Sequence, residues 1–285
     1  SYGSPNLLSM TATPIPRTLA LTIYGDLDVS LIKEKPAGRQ EIITKVVPEE
    51  KRQEAYRFID QQIQEGRQIF VICPRIEPSQ APKKKDLLSV EMKMVTEEFE
   101  KLSKLIFPHR KIAMLHGKLK AKEKDEIMRD YKDRKYDLIV STSVIEVGVD
   151  VPNATIMMIE SAERFGLAQL HQFRGRVGRG AHQSYCFLFT SSPEINTTRR
   201  LKAMEKTNDG FQLAEMDLSI RGPGEFTGTS QSGIPDLAMA SLSDLSLIKQ
   251  ARSEARALLD QDLSLAKHPL LKERLAHLQR VVHFE

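Results

Sequence analysis

Three arginines and two glycines fall within the eight residues Gln172-Phe173-Arg174-Gly175-Arg176-Val177-Gly178-Arg179. Arg176 and Arg179 are three apart, and on a helix that spacing would put both guanidiniums on one face. Two guanidiniums side by side suit a triphosphate, whose charge arginines neutralise in phosphoryl transfer. The chain contains no G-x-x-x-x-G-K-[ST] loop to cradle those phosphates. The arginines therefore point at a nucleotide that something else must hold. A solvated basic face or a nucleic-acid patch is the plainer alternative for such a cluster.

Residues 141–152, Ser-Thr-Ser-Val-Ile-Glu-Val-Gly-Val-Asp-Val-Pro, form a second block of polar and conformationally permissive residues. Hydroxyls such as that of Thr142 can bond phosphate oxygens, and Gly148 lets backbone approach a ligand closely. Asp150 can accept a ribose hydroxyl or pair with an arginine. It can equally cap a helix after a strand, and the sequence leaves both readings open. His116-Gly117-Lys118 could present a backbone N–H and a lysine to a phosphate, although a lone histidine is more often structural. Thr11-Ala12-Thr13-Pro14 is a stiff, hydroxyl-rich turn or an ordinary linker. No Ser/His/Asp arrangement, metal-ligand spacing or carboxylate pair stands out, so metal-based and nucleophilic hydrolysis have no support.

These segments need a frame, and the frame alternates strands with helices. Short β-branched runs occur at residues 42–47, 69–73, 112–115, 138–140, 156–159 and 186–189. Helical periodicity fills 50–65, 87–106 and 120–133, and the basic stretch 78–85 looks like a loop. Near-continuous apolar strands separated by helices predict a parallel sheet with helices on both faces. Ligands of such sheets sit beyond the carboxyl ends of the strands, and residues 141–152 are expected at that edge. After residue 192 the pattern turns mainly helical. Helices are expected at 197–206, 244–260 and 269–282, and a short helical turn at 215–218. Glycines 222, 224, 228 and 233 forbid a regular element and predict a shaped loop.

Bulk properties fit a soluble chain of one large or two modest domains. No apolar run is long enough for a membrane span, and no secretory signal opens the sequence. Cys73 and Cys186 lie apart in strand-like runs, which predicts buried thiols and a cytoplasmic setting. The net charge is +4, and residues 81–135 carry sixteen Lys/Arg against ten Asp/Glu. The positive excess thus sits in the first half, where it could track phosphates or simply be solvated.

Taken in order, the segments resemble the second motor lobe of superfamily 2 helicases. Thr11-Ala12-Thr13 resembles the motif coupling nucleotide to nucleic acid. Thr142, Gly148 and Asp150 resemble motif V, and Gln172 to Arg179 fits Q-x-x-G-R-x-G-R, motif VI. The tail narrows the resemblance. Arg199-Arg200-Leu201-Lys202, residues 207–211, Arg221-Gly222-Pro223-Gly224-Glu225 and Gln231-Ser232-Gly233 resemble the translocation motif of the RecG family of ATP-dependent DNA helicases.

The resemblance implies a RecA-like α/β lobe at 39–192. The end of a first lobe and a linker would occupy 1–38, and a helical translocation segment with a Gly-rich loop 193–285. It implies that Arg176 and Arg179 are arginine fingers, with Gly148, Asp150 and Gln172 near the nucleotide. Thr11, Thr13, His116, Gly117, Thr142, Arg200, Arg221 and Gln231 would serve DNA contact and coupling. ATP and Mg²⁺ would be held mainly by a first lobe, which this chain lacks along with a fork-splitting wedge domain. The expected partners are duplex and branched DNA and those two parts of the same protein, and the expected state is a monomer. No metal site of the chain's own is expected. An Mfd-like repair translocase shares the tail motif and remains an alternative. So does a non-catalytic binding module with a motor-like fold.

Overall fold

The structure is a computed structural model that describes residues 8, 10, 11, 30, 32, 40–74, 84–142, 151–192, 195–221 and 245–281. Three strands are buried at every position: β2 (Gln68–Ile72), β4 (Leu138–Ser141) and β5 (Ala154–Ile159). Apolar runs of this kind belong in the middle of a sheet covered on both faces. β1 (Ile43–Val47) and β3 (Ile112–Leu115) instead mix buried with exposed or half-buried positions, and they form the two edges. With β6 (Tyr185–Phe189) the order is β1-β6-β5-β2-β4-β3, and every neighbouring pair is parallel.

Helices α1 (Arg52–Gln64) and α2 (Lys84–Lys101) cover one face. Tyr56, Ile59 and Ile63 of α1, with Val95 of α2, join Ile69, Val71, Ile156 and Met158 in one buried cluster. Alternation turns Phe70 and Ile72 to the opposite face. There Tyr131 of α3 (Ala121–Lys132) packs on Phe70, ring centroids 5.1 Å apart. Leu170 and Phe173 of α4 (Leu167–Arg174) are also buried. Each fully buried side chain of this size contributes about 1.5–3 kcal/mol, so the sheet is a stiff base for the loops at its ends.

The amino ends of the strands are tied by one buried amide. Gln68 donates from Nε2 to the carbonyls of Tyr131 (2.6 Å) and Tyr136 (2.9 Å), and accepts from Asn153 Nδ2 at 3.0 Å. This fixes β2 to β5 where their register shifts between Gln68 and Ile69.

The helices α5 (Ile195–Lys206), α6 (Gly210–Arg221), α7 (Leu245–Gln261) and α8 (Pro269–Val281) follow. The chain divides into two compact units, with described residues 40–213 in one and 214–281 in the other. Cys73 and Cys186 are buried free thiols.

Three local expectations need correction. The helical turn expected at 215–218 is a helix of 12 residues. Leu213, Ala214 and Asp217 are buried and share one helical face, but a carboxylate holds the last of these positions, so the apolar period that would have marked the helix is broken. The helix expected at 87–106 starts at Lys84, taking in Lys84 and Lys85, and ends in a π-helical turn, Leu102–Ile106. The rest of the basic loop and the Gly-rich loop at 222–233 lie outside the described residues.

Candidate nucleotide and nucleic-acid site

The arginine segment does not continue α4. Helix α4 ends at Arg174, where the Gly175 N–H still reaches His171 O at 3.0 Å. The next two bonds span three residues instead of four: Arg176 N–H to Phe173 O (2.9 Å) and Val177 N–H to Arg174 O (3.3 Å). Gly178 then takes a left-handed φ of 73°. The shared helical face expected for Arg176 and Arg179 is therefore absent. Glycine can turn the chain toward β6 at a conformation L-residues avoid. Val177 is fully buried as the anchor of this turn, Arg176 is half-buried and Arg179 is exposed.

Contacts locate the turn at the amino edge of the sheet. A Cβ on Gly178 would meet the side chain of Ile42 at 2.9 Å and Ser184 Cβ at 3.7 Å. Ile42 and Ser184 stand just before β1 and β6. Gln40 Nε2 donates to Ala181 O at 3.1 Å, again beside the start of β1. Pro152, just before β5, lies against Gly180. The segment 141–152 was expected at the carboxyl edge. It starts there with Ser141, the last residue of β4, but its far end, Val151-Pro152, is at the amino edge because it must enter β5. Gly148 and Asp150 lie outside the described residues.

His116, Gly117 and Thr142 occupy the opposite edge, beyond the carboxyl ends of β3 and β4. A strand of five residues separates the two edges by about 15 Å. His116 opens a turn in which the Leu119 N–H reaches His116 O at 3.2 Å and Lys124 Nζ reaches Gly117 O at 3.3 Å. Partial burial lowers the His116 pKa, and Lys118 and Lys124 push it the same way, which favours a neutral imidazole. Its Nδ1 is buried without a partner among the described residues. Lys118 and Lys120 are exposed beside it. Thr142 is only 1% exposed, and its hydroxyl also has no partner among the described residues. It is an inward-facing group of the strand end.

Other groups at this edge were not singled out from the sequence. Glu160 follows β5 and accepts from Arg52 Nη2 at 2.7 Å, while Arg52 Nε reaches Glu49 at 2.7 Å. An acidic residue directly after a strand that is apolar at every position but Thr155 was the available signal. Glu98 and Lys101 of α2 form a neighbouring pair at 3.2 Å.

Arg174, the third arginine of the cluster, has a different role from its neighbours. It is 2% exposed, and its Nη1 donates to Thr44 Oγ1 (3.4 Å), Met204 O (2.9 Å) and Thr207 O (3.1 Å). It thus satisfies carbonyls at the C-terminal end of α5, where a cation is also favoured by the helix dipole. Burial pulls its pKa down. The sequence did carry a signal: Leu167, Leu170 and Arg174 follow the i, i+3, i+7 spacing of a buried helical face.

Arg200 answers from α5, donating to the carbonyl oxygens of Glu163 and Phe165 (3.2 Å to the latter). It is bound to the turn before α4 and half-buried. Thr11 is exposed, and Arg221 is the last residue of α6. Thr13 and Gln231 lie outside the described residues. Among the described residues no cluster of His, Cys, Asp and Glu suits a metal ion, and no helix is long and apolar enough to cross a membrane.

Comparison with known proteins follows this division. Residues 50–181 match the helicase conserved C-terminal domain, and residues 207–282 match domain 3, C-terminal, of the ATP-dependent DNA helicase RecG. The chain is 51% identical over 274 residues to the ATP-dependent DNA helicase RecG of Synechocystis sp., covering 96% of this chain and 32% of that protein. Against the Aquifex aeolicus protein of the same name identity is 47%, over 95% of this chain and 34% of the relative. A solved structure of RecG bound to a three-way DNA junction is 44% identical, with a TM-score of 0.63 over 84% of this chain and 30% of that one. The chain thus spans about a third of the length of these relatives.

Proposed function

The chain belongs to the RecG family of ATP-dependent DNA helicases, and on that premise we propose that it supplies the second motor lobe and translocation segment of a DNA-remodelling motor. The observation that carries this reading is the pair Arg176 and Arg179 on a glycine-framed turn at one edge of the sheet, about 15 Å from the His116 turn at the other. One edge would face nucleotide, the other DNA. The domain reading is 1–38 for the end of the first lobe and linker, 39–192 for the second lobe and 193–285 for the translocation segment.

In this mechanism Arg176 and Arg179 neutralise charge on the transferring phosphoryl group of ATP. Such arginines raise phosphoryl-transfer rates by about 10³–10⁵. Gln172, Gly148 and Asp150 would line the same nucleotide face. Guanidiniums donate only, so they suit phosphate oxygens and not a cation. Mg²⁺ would therefore be held by the first lobe, together with the phosphate loop. His116 and Gly117 would meet the DNA backbone, with Thr142 holding the strand end behind them. Thr11 and Thr13 would couple nucleotide state to DNA. Arg200, Arg221 and Gln231 would relay lobe closure to the tail. The substrates would be duplex and branched DNA, such as forks and junctions, worked on by a monomer in the cytoplasm.

The experiment uses the full-length protein. Arg179→Ala should reduce DNA-stimulated ATP hydrolysis by about 10³-fold or more while leaving DNA affinity within about twofold. Gln231→Ala should spare hydrolysis and impair fork unwinding. Equal loss of binding and hydrolysis in both variants would sink this division of roles.

A further inference from the structure

Two glycines frame Arg179, and they are glycine for different reasons. Gly178 supplies a left-handed φ of 73°. Gly180 has no left-handed φ, and what it lacks is room. A Cβ built there would lie 2.5 Å from Pro152 O, 3.3 Å from Pro152 C and 3.6 Å from Pro152 Cβ. Real Cβ atoms essentially never approach another heavy atom within 3.0 Å, so any side chain at 180 must move one of the two segments.

The segment that carries Pro152 is the stiffer of the two. The proline ring fixes φ at this residue. On either side of it, the Ala154 N–H bonds Val151 O at 3.0 Å, and Asn153 O accepts the Gln68 N–H at 3.1 Å. Asn153 Nδ2 also donates to Gly66 O at 2.9 Å and Gln68 Oε1 at 3.0 Å. Pro152 O therefore sits on backbone tied to the starts of β2 and β5, both wholly buried strands. The chain at Gly180-Ala181 lies in no helix or strand, and a single side-chain amide, Gln40 Nε2, reaches Ala181 O at 3.1 Å. A Cβ at 180 would displace this softer side, which carries Arg179 on the preceding residue.

We infer that Gly180 is a positioning residue for ATP hydrolysis: its missing side chain lets the arginine turn rest against Pro152, and that contact sets where Arg179 stands relative to the amino edge of the sheet. Gly180 itself offers no group to the nucleotide and acts through its neighbour. The inference deepens the reading of Arg179 as an arginine finger and rests on it. A finger displaced by about 1 Å loses its alignment with the transferring phosphoryl group, and misplacement of that size can cost about 10²-fold in rate.

The test measures ATP hydrolysis by the full-length protein at saturating forked DNA. Gly180→Ala should lower kcat by about 10²-fold while KM for ATP and DNA affinity stay within about twofold, since the finger acts in the transition state. In the Arg179→Ala background, Gly180→Ala should cost no more than about twofold, because the residue through which it acts is gone. A glycine that merely supported the fold would multiply its loss onto that of Arg179→Ala. Asn153→Ala loosens the clamp on Pro152 and leaves Gly180 in place. It should show a smaller loss of kcat, again absent in the Arg179→Ala background. Wild-type kcat in Gly180→Ala, or losses that multiply, overturn the inference. If Gly180→Ala does not fold, wild-type kcat in Asn153→Ala does so. Normal hydrolysis by Arg179→Ala removes the finger reading and the inference with it. A crippled Arg179→Ala beside an unaffected Gly180→Ala removes the inference alone.

Discussion

Glu98 shows how a single carboxylate at the strand ends responds to its surroundings. Its side chain is 11% exposed. Burial raises its pKa, and the charge of Glu160 adds to the effect, while the ion pair with Lys101 opposes both and does not cancel them. The folded protein therefore holds this proton more tightly than the unfolded chain does. By linkage, the contribution of Glu98 to stability is fully present below its unfolded pKa and is lost as pH rises through the folded value. At neutral pH the ionised side chain is thus a net cost. Glu98→Gln should raise the stability of the chain at pH 7, and the gain should shrink toward zero as pH falls toward ~4. Denaturant melts of both proteins across that range test the sign. A gain that grew on acidification would contradict the assigned cause.

Helix α5 is fastened by side chains at both ends of its contact with the lobe. Arg174 reaches from α4 to its last carbonyls, Arg200 reaches back to the turn before α4, and Glu205 accepts the Val46 N–H at 2.7 Å along the open edge of β1. Arg174→Ala leaves Met204 O and Thr207 O without their donor, which should cost about 2–3 kcal/mol. The loss should be local: amide exchange should quicken in residues 195–206 while β2, β4 and β5 keep their protection. Uniform loss of protection would mean that Arg174 supports the core instead. The elements themselves were largely legible, because strands 112–115 and 138–140 are short continuous apolar runs and the helix after residue 120 groups Ile127, Met128 and Tyr131 on one face. The arginine turn was not. Spacing of three reads as a helical face only while the helix continues, and the return to β6 through left-handed Gly178 is decided by tertiary contacts with Ile42 and Ser184. The same limit hid Arg174, whose charge outweighed its apolar-face position in a reading based on residue type.

On the scale of the molecule, the proposed reading puts nucleotide and DNA at opposite edges of the sheet, separated by the length of its strands. The edge with Arg176 and Arg179 offers cationic donors but no glycine-rich loop, and the 285 residues contain no lysine in a phosphate-loop setting. Arginine fingers act on phosphate that other groups have already bound and aligned; without that alignment they have no transition state to stabilise. The first prediction at this scale is therefore negative. The purified chain should hydrolyse ATP no faster than buffer, with or without DNA, at concentrations up to those used for the full-length protein. The second arm is positive. Adding the remainder of the full-length protein as a separate polypeptide should restore DNA-stimulated turnover in a concentration-dependent way, and the Arg179→Ala chain should fail to restore it. Turnover by the chain alone that survives Arg179→Ala would indicate a contaminant. Turnover by the chain alone that disappears with Arg179→Ala would show a complete nucleotide site within these residues, and the two-lobe assignment would have to be abandoned.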